Sequence, residues 1–332
     1  MKAYRLTRGS PPAFDDVPEP EPGPGEVVIR VAGAGACHSD LHLMDGLSIW
    51  GDTFTLGHEN TGWIAATGAG VEGWSEGDAV AVYGPWGCGI CRRCRVGLEN
   101  YCERSAEIPY AGGGLGRDGG MAPLMLVPSA RSLVRLGDLD PAIAAPLTDA
   151  GLTPYHAVKR SLDLLEPGTT AVVIGVGGLG HMAVQILRAL SPARIVAVDV
   201  AQDKLDLARD VGADAGVTPD KAEGPAELIL DFVGSAETMQ LAASLTKPLS
   251  HLTVVGLAMG TLPFNVINVR WETSVATTYW GSVTELAEVI ALARDGKITA
   301  HVERFSLDDA PDAYQRMRDG TLRGRAVIVP ND

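Results

Sequence analysis

Positive charge is scarce in this chain. Lys and Arg number 27 against 41 Asp and Glu in 332 residues, a formal net charge of −14. Nucleic-acid backbones and anionic membranes are polyanions, so neither is expected as the main partner of so acidic a surface. Long hydrophobic runs are also missing. The stretch 167–187 carries no formal charge, yet five glycines, His181 and Gln185 interrupt it. A strand, a glycine turn and a helix suit it better than a membrane span. The first residues, Met1 to Arg5, lack the apolar segment of a secretory leader. Cysteine is sparse as well: there are five, an odd number, and four fall between 88 and 102. That crowding argues against a disulfide framework and for metal binding in a reducing compartment, so a cytoplasmic protein is expected. No internal repeat or low-complexity tract is present.

What is present is the composition of a well-filled globular protein of enzyme size, with 46% hydrophobic residues, 40 glycines and 21 prolines. The length suggests two domains. The first 150 residues read as short strands in a Gly- and Pro-rich setting: Val27 to Val31, Trp63 to Ala66 and Ala79 to Val82. This is the texture of an irregular barrel or sandwich. From Thr169 the pattern alternates strand and helix. Strands are expected at Ala171–Ile174, Arg194–Val198, Leu228–Val233 and Leu252–Val255, with helices at about Leu179–Leu190, Asp203–Val211 and Gly281–Ala293. Such alternation predicts a doubly wound parallel sheet covered by helices. The tail, 297–332, alternates again and is expected to return to the first domain. The boundaries expected are thus 1–150, 151–296 and 297–332. One irregularity stands out: the crossover at 218–227 contains Pro219, Gly224 and Pro225 and is short for a parallel connection.

Cys88-x2-Cys91-x2-Cys94-x7-Cys102 lies within a lobe at about 85–105. Four soft ligands at short spacing match a closed, tetrahedral structural zinc site. The lobe has little apolar mass, so metal would supply part of its folding energy. Spacing alone also admits a four-cysteine iron–sulfur cluster.

Gly175-Val176-Gly177-Gly178-Leu179-Gly180 follows one expected strand and opens an expected helix. The first glycine allows a tight turn, the second lets a pyrophosphate approach the backbone, and the third lets helix and strand pack closely. Asp199 ends the next strand, where a carboxylate accepts hydrogen bonds from a ribose diol and repels a 2′-phosphate. NAD is therefore favoured over NADP, and FAD is given little weight.

Other polar residues are scattered through the first domain. Cys37 sits in Ala36-Cys37-His38-Ser39-Asp40-Leu41-His42, and His58 in Gly57-His58-Glu59-Asn60-Thr61-Gly62. Alone, each reads as an ordinary core residue, and spacing does not establish that they converge. Asp149, on spacing alone, reads as an N-terminal cap for a helix over 150–158.

Taken together, the motifs resemble those of the zinc-containing medium-chain alcohol dehydrogenases along the whole chain. The pattern G-H-E-x2-G-x5-G-x2-V is complete as Gly57-His58-Glu59, Gly62, Gly68 and Val71. The segments Tyr83 to Cys88, Pro146 to Tyr155 and Thr278 to Gly281 are more narrowly similar to bacterial NAD-dependent secondary-alcohol dehydrogenases. The resemblance implies a GroES-like catalytic domain beside a Rossmann domain. It also implies a catalytic zinc on Cys37, His58 and Asp149, where many relatives carry cysteine at the last position. Glu59 becomes a near neighbour of that zinc, Asp40 the group that orients His58, and Ser39 and His42 a proton relay, with a pocket wall as the alternative for His42. His38, Lys204 and Arg325 become coenzyme neighbours. Trp50, in the loop 47–52, and Trp280 become walls of the substrate pocket, with domain packing as the plainer reading of Trp50. Pro123-Leu124 departs from the family, which often has an acid after Met121-Ala122.

The implied reaction is reversible, NAD-linked oxidation of secondary alcohols to ketones, with two zinc ions per subunit in a homodimer or homotetramer. The alternatives are a zinc polyol or primary-alcohol dehydrogenase and, outside catalysis, an NAD-binding structural protein.

Overall fold

The computed structural model describes residues 1–46 and 50–331. Residues Leu47, Ser48 and Ile49 of the loop before Trp50 lie outside that set. The chain divides into two compact units: Met1–Asp149 with Gly281–Arg294 and Ala300–Asp332, and Ala150–Trp280 with Asp295–Thr299.

The first unit is built on an antiparallel sheet whose central strand is Val27–Gly35. That strand is buried along almost its whole length, as its run of Val, Ile, Ala and Gly requires of a strand covered on both faces. It pairs with Glu59–Thr67 in a register that sets Gly35 opposite Glu59. On its other side it pairs with Arg325–Val329 from the tail, Gly35 opposite Val327, and with Leu124–Val127. The tail strand Val302–Ser306 extends the sheet in parallel. Glycine is demanded at 35: a Cβ there would sit 1.9 Å from the Glu59 carboxylate.

The second unit carries six parallel strands in the order Ala215–Val217, Arg194–Val198, Thr170–Ile174, Ala226–Asp231, Thr246–Val254, Ser274–Thr277. Numbered along the chain this order is 3-2-1-4-5-6, that of the doubly wound dinucleotide fold. Val172, Ile174, Val196, Val198, Ile229 and Leu252 form one face of its core. The helices Gly180–Leu190, Gln202–Asp210 and Ala236–Ser244 connect the strands.

Two sequence expectations are sharpened here. The crossover after Val217 is abbreviated, with only the short 3-10 turn Pro219–Lys221 before Ala226. Residues 218–225 span roughly 26 Å when extended, enough to pass three strand spacings of about 4.8 Å without a helix. The helix Val283–Arg294, expected in the second domain, groups instead with the first unit. Val283 N donates to Gly97 O at 3.1 Å and Tyr83 Oη to Gly281 O at 2.6 Å, which anchors the start of this helix there.

Candidate active site

The strand register just described brings three distant segments to one end of the first sheet. Cys37 follows Gly35, His58 precedes Glu59, and Ala36 N donates to Ala326 O at 2.9 Å, which places Arg325 beside them. The fourth segment is the 3-10 turn Ala145–Thr148, whose next residue is Asp149. One ligand atom from each of Cys37, His58, Glu59 and Asp149 lies within 4.8 Å of all the others. Cys37 Sγ is 3.8 Å from Asp149 Oδ2, and His58 Nε2 is 3.6 Å from the same oxygen. Zinc bonds of about 2.0–2.3 Å in a tetrahedron put ligand atoms roughly 3.3–3.8 Å apart, so these donors fit the ion. Asp149 closes the 3-10 turn Ala145–Thr148, and the helix Leu152–Lys159 starts from Gly151, two residues further on.

The charges in this buried group also balance for a divalent cation. Cys37 and Asp149 are the residues that would supply two negative charges to such an ion, while Arg325 pairs with Glu59 through two contacts, one of 3.0 Å from Nε. Arg325 Nη2 also stands 3.8 Å from Asp149 Oδ2. Burial pushes the Glu59 carboxyl up to about 7, against the pull of Arg325. For His58, burial disfavours the charged form, but Asp40 and Asp149 outweigh it and raise the imidazole well above its ordinary value. A cluster that draws a proton onto His58 in this way is one that favours a cation at Nε2 when a metal takes the proton's place.

His58 Nδ1 is 2.9 Å from Asp40 Oδ1, which leaves Nε2 aimed at the cluster. Asp40 Oδ2 accepts from Cys37 N at 2.9 Å and from Tyr314 Oη at 2.8 Å. Neither the Tyr314 hydroxyl nor the pairing of Arg325 with Glu59 is visible in the sequence, since no local motif surrounds either residue. Ser39 Oγ lies 3.6 Å from Cys37 Sγ. His42, one turn further along the helix His38–Met44, is half-buried, and His38 at the start of that helix is exposed. Trp50 is half-buried, with its Cβ 2.7 Å from where a Cβ at Gly116 would sit.

The four remaining cysteines form a second cluster within the same 4.8 Å limit. Cys91 Sγ is 3.4 Å from Cys94 Sγ, and Cys88 Sγ is 3.9 Å from Cys94 Sγ. A tetrahedral ZnS4 centre needs sulfurs about 3.8 Å apart, and the thiols are far beyond disulfide distance. Backbone N–H groups already point at the sulfurs. Cys91 N reaches Cys88 Sγ at 3.4 Å, Cys94 N reaches Cys91 Sγ at 3.4 Å, and Cys88 N reaches Cys102 Sγ at 3.3 Å. The Cys94 amide leads the influences that lower the Cys91 thiol to about 6, while burial raises Cys94. Arg131 braces the lobe by donating to Glu99 Oε1 at 2.7 Å, and Glu99 Oε2 accepts from Gly87 N at 2.8 Å.

In the second unit the glycine loop has the shape its sequence requires. Gly175 adopts φ +84°, a Cβ at Gly180 would strike Gly175 O at 2.0 Å, and Gly177 faces open space. Leu179 immediately precedes the helix Gly180–Leu190, and Gly178 is half-buried in the turn. Asp199 Oδ2 accepts from Val176 N at 2.7 Å and Oδ1 from Ala201 N at 3.0 Å, which fixes the carboxylate beside the loop. Lys204 is half-buried on the following helix. Trp280 is buried at φ +50°, its ring edge-on to Tyr279 at 5.1 Å.

Comparison with known proteins agrees with this geometry. Residues 23–138 match the alcohol dehydrogenase GroES-like domain, and residues 178–295 match the zinc-binding dehydrogenase domain. An NAD-dependent alcohol dehydrogenase of Sulfurisphaera tokodaii is 34% identical over 99% of this chain and 100% of its own length. The crystal structure of the alcohol dehydrogenase from Aeropyrum pernix superposes with TM-score 0.92 at 37% identity, over 99% of this chain and 100% of that one. Acetophenone reductase from Geotrichum candidum, solved in complex with NAD, gives TM-score 0.89 at 34% identity over 99% and 97% of the two chains. Both family models and full-length relatives above 30% identity agree, and the chain belongs to the zinc-binding medium-chain alcohol dehydrogenases.

Proposed function

We propose that the chain oxidises secondary alcohols to ketones, reversibly and with NAD, using a catalytic zinc on Cys37, His58 and Asp149 and a structural zinc on Cys88, Cys91, Cys94 and Cys102. The observation that carries this reading is the Cys37–His58–Asp149 arrangement, at 3.6–3.8 Å, with a carboxylate as third ligand as in the secondary-alcohol enzymes this chain resembles. When bound, zinc supplies the Lewis acidity that lets an alcohol ionise near neutral pH, and NAD accepts the hydride.

The protein's own residues do the rest. Asp40 holds His58 in the tautomer whose Nε2 faces the cluster. Ser39 Oγ, beside Cys37, takes the hydroxyl proton and passes it towards His42 and solvent. Arg325 keeps Glu59 out of the first ligand positions, ready to replace an exchangeable ligand. Gly177 admits the coenzyme pyrophosphate, Asp199 receives the ribose diol, and His38 and Lys204 supply nearby cationic or polar contacts. Arg325, a coenzyme neighbour by resemblance, pairs with Glu59 and shapes the site through it.

That one structural relative is an acetophenone reductase supports an aryl ketone as a substrate here. A panel of secondary, primary and polyhydroxy alcohols, run with NAD and NADP, tests the proposal. Highest kcat/KM on secondary alcohols with NAD supports it; preference for a polyol or primary alcohol replaces it, and inactivity on all with two zincs bound favours a structural role. Leu249, Phe264, Val266, Ile267 and Trp271 are exposed large apolar residues in the second unit, a composition that supports a homo-oligomer. Among the described residues no helix is long and apolar enough to cross a membrane. The five free cysteines, with four clustered for metal, support a reducing, cytoplasmic setting.

A further inference from the structure

The C-terminal helix Ala310–Arg318 touches the helix His38–Met44 region at two places of different character. Near its end Arg318 meets the exposed Asp45 carboxylate at 2.7 and 3.0 Å. In its middle, Tyr314 Oη donates to buried Asp40 Oδ2 at 2.8 Å, while Asp40 Oδ1 faces His58 Nδ1 at 2.9 Å. The Tyr314 ring is separately fixed, stacked on Tyr4 with centroids 6.2 Å apart, with its hydroxyl 3.6 Å from Met121 Sδ. A phenol in so buried a place stays protonated, so towards a carboxylate it acts as a donor.

We infer that Tyr314 is a positioning residue for the catalytic metal: its hydroxyl locks the rotation of Asp40, and Asp40 in turn holds His58 Nε2 on the ion. This inference rests on the assignment of zinc to Cys37, His58 and Asp149. Asp40 Oδ2 has two donors, the Cys37 amide and the Tyr314 hydroxyl. The amide is on the same turn as Asp40 and holds it only locally, whereas the phenol comes from the other end of the chain on a rigidly packed ring. With the phenol gone, Asp40 Oδ2 keeps only the Cys37 amide from its own turn, so the carboxylate is held less firmly and the His58 ring is positioned less tightly. The tail helix would then serve the metal as well as the fold.

Tyr314→Phe removes the hydroxyl and keeps the stacked ring. Outer partners of metal ligands typically affect affinity 10- to 100-fold, and Tyr314 acts one bond further out, so a roughly three- to tenfold loss is expected. The probe is Co²⁺ loaded at the catalytic site, with zinc retained in the four-cysteine lobe. Chelator competition gives its affinity, and its visible absorption bands report the ligand geometry. Tyr314→Phe should weaken Co²⁺ and shift the bands, whereas Arg318→Ala, which frees the same helix from Asp45, should lower Tm and leave both unchanged. In an Asp40→Asn background, Tyr314→Phe should have no further effect on affinity. Equal Co²⁺ affinity and identical bands in Tyr314→Phe and the parent overturn the inference, as does an equal effect of Arg318→Ala. So does an undiminished effect of Tyr314→Phe in the Asp40→Asn background. A parent that takes up no Co²⁺ at this site overturns the zinc assignment itself, and the inference with it.

Discussion

Arg325 and Glu59 are 266 positions apart, and their side chains are only 4% and 0% exposed where they meet. The strand Arg325–Val329 crosses the end of Val27–Gly35 and delivers the guanidinium to the base of the metal cluster. This pair keeps two opposite charges satisfied in a place where water cannot reach them.

Breaking one side of that pair should therefore be costly. Arg325→Met leaves Glu59 buried beside Asp149 with no cation, and removal of one partner from a buried pair costs about 3–5 kcal/mol. Arg325→Met with Glu59→Gln should recover much of that loss. Thermal or denaturant unfolding of the two singles and the double checks it. Two single variants as stable as the parent would mean that the pair contributes nothing at this site.

The two zinc sites should respond to mutation in opposite ways. The parent is expected to carry two equivalents by elemental analysis. Cys37→Ser should fall to one and keep its fold. Cys91→Ser should damage folding or assembly first, because the lobe relies on its metal for much of its stability. Two zincs retained in Cys37→Ser would remove Cys37 from the ligand set.

Coenzyme choice should follow Asp199. Its carboxylate is held by Val176 N and Ala201 N, and on the proposed assignment it would meet the 2′-phosphate of NADP with a negative charge. A charged hydrogen bond contributes about 1.5–3 kcal/mol, so kcat/KM should favour NAD by roughly one to two powers of ten. Asp199→Ala should erase most of that preference. Equal efficiency with both coenzymes in the parent would show that Lys204 or another cation compensates.

These residues also show how much the sequence could reveal. The glycine loop was legible because its demands are local: a positive φ at Gly175 and a Gly180 too close to Gly175 O for any side chain. The four-cysteine lobe was legible for the same reason, its ligands lying on one short turn-rich stretch. Most parallel strands announce themselves as apolar runs, but Thr246–Val254 does so only over its last few residues and the largely exposed Ser274–Thr277 does not. Cys37, His58 and Asp149 were not legible as a group from spacing. Their meeting depends on the register of Gly35 against Glu59, which is set across the sheet, and only the family resemblance anticipated it. The apolar stripe of the helix Val283–Arg294 announced burial but not the neighbour, so its domain was misassigned. Tyr314 carried no local signal of its own, because its partner is 274 positions away.

The central claim is that Asp149 is a zinc ligand, and Asp149→Asn tests it most directly. The amide keeps the shape and the capping capacity of the side chain but loses the charge that balances Zn²⁺ beside Cys37. Zinc content, ketone reduction and NADH binding should be measured side by side, with Asp149→Cys as the variant that restores an anionic ligand. The account predicts that Asp149→Asn loses most turnover and metal at one site only, binds NADH nearly normally, and that Asp149→Cys recovers the metal. An Asp149→Asn protein that holds two zincs and turns over like the parent would contradict it.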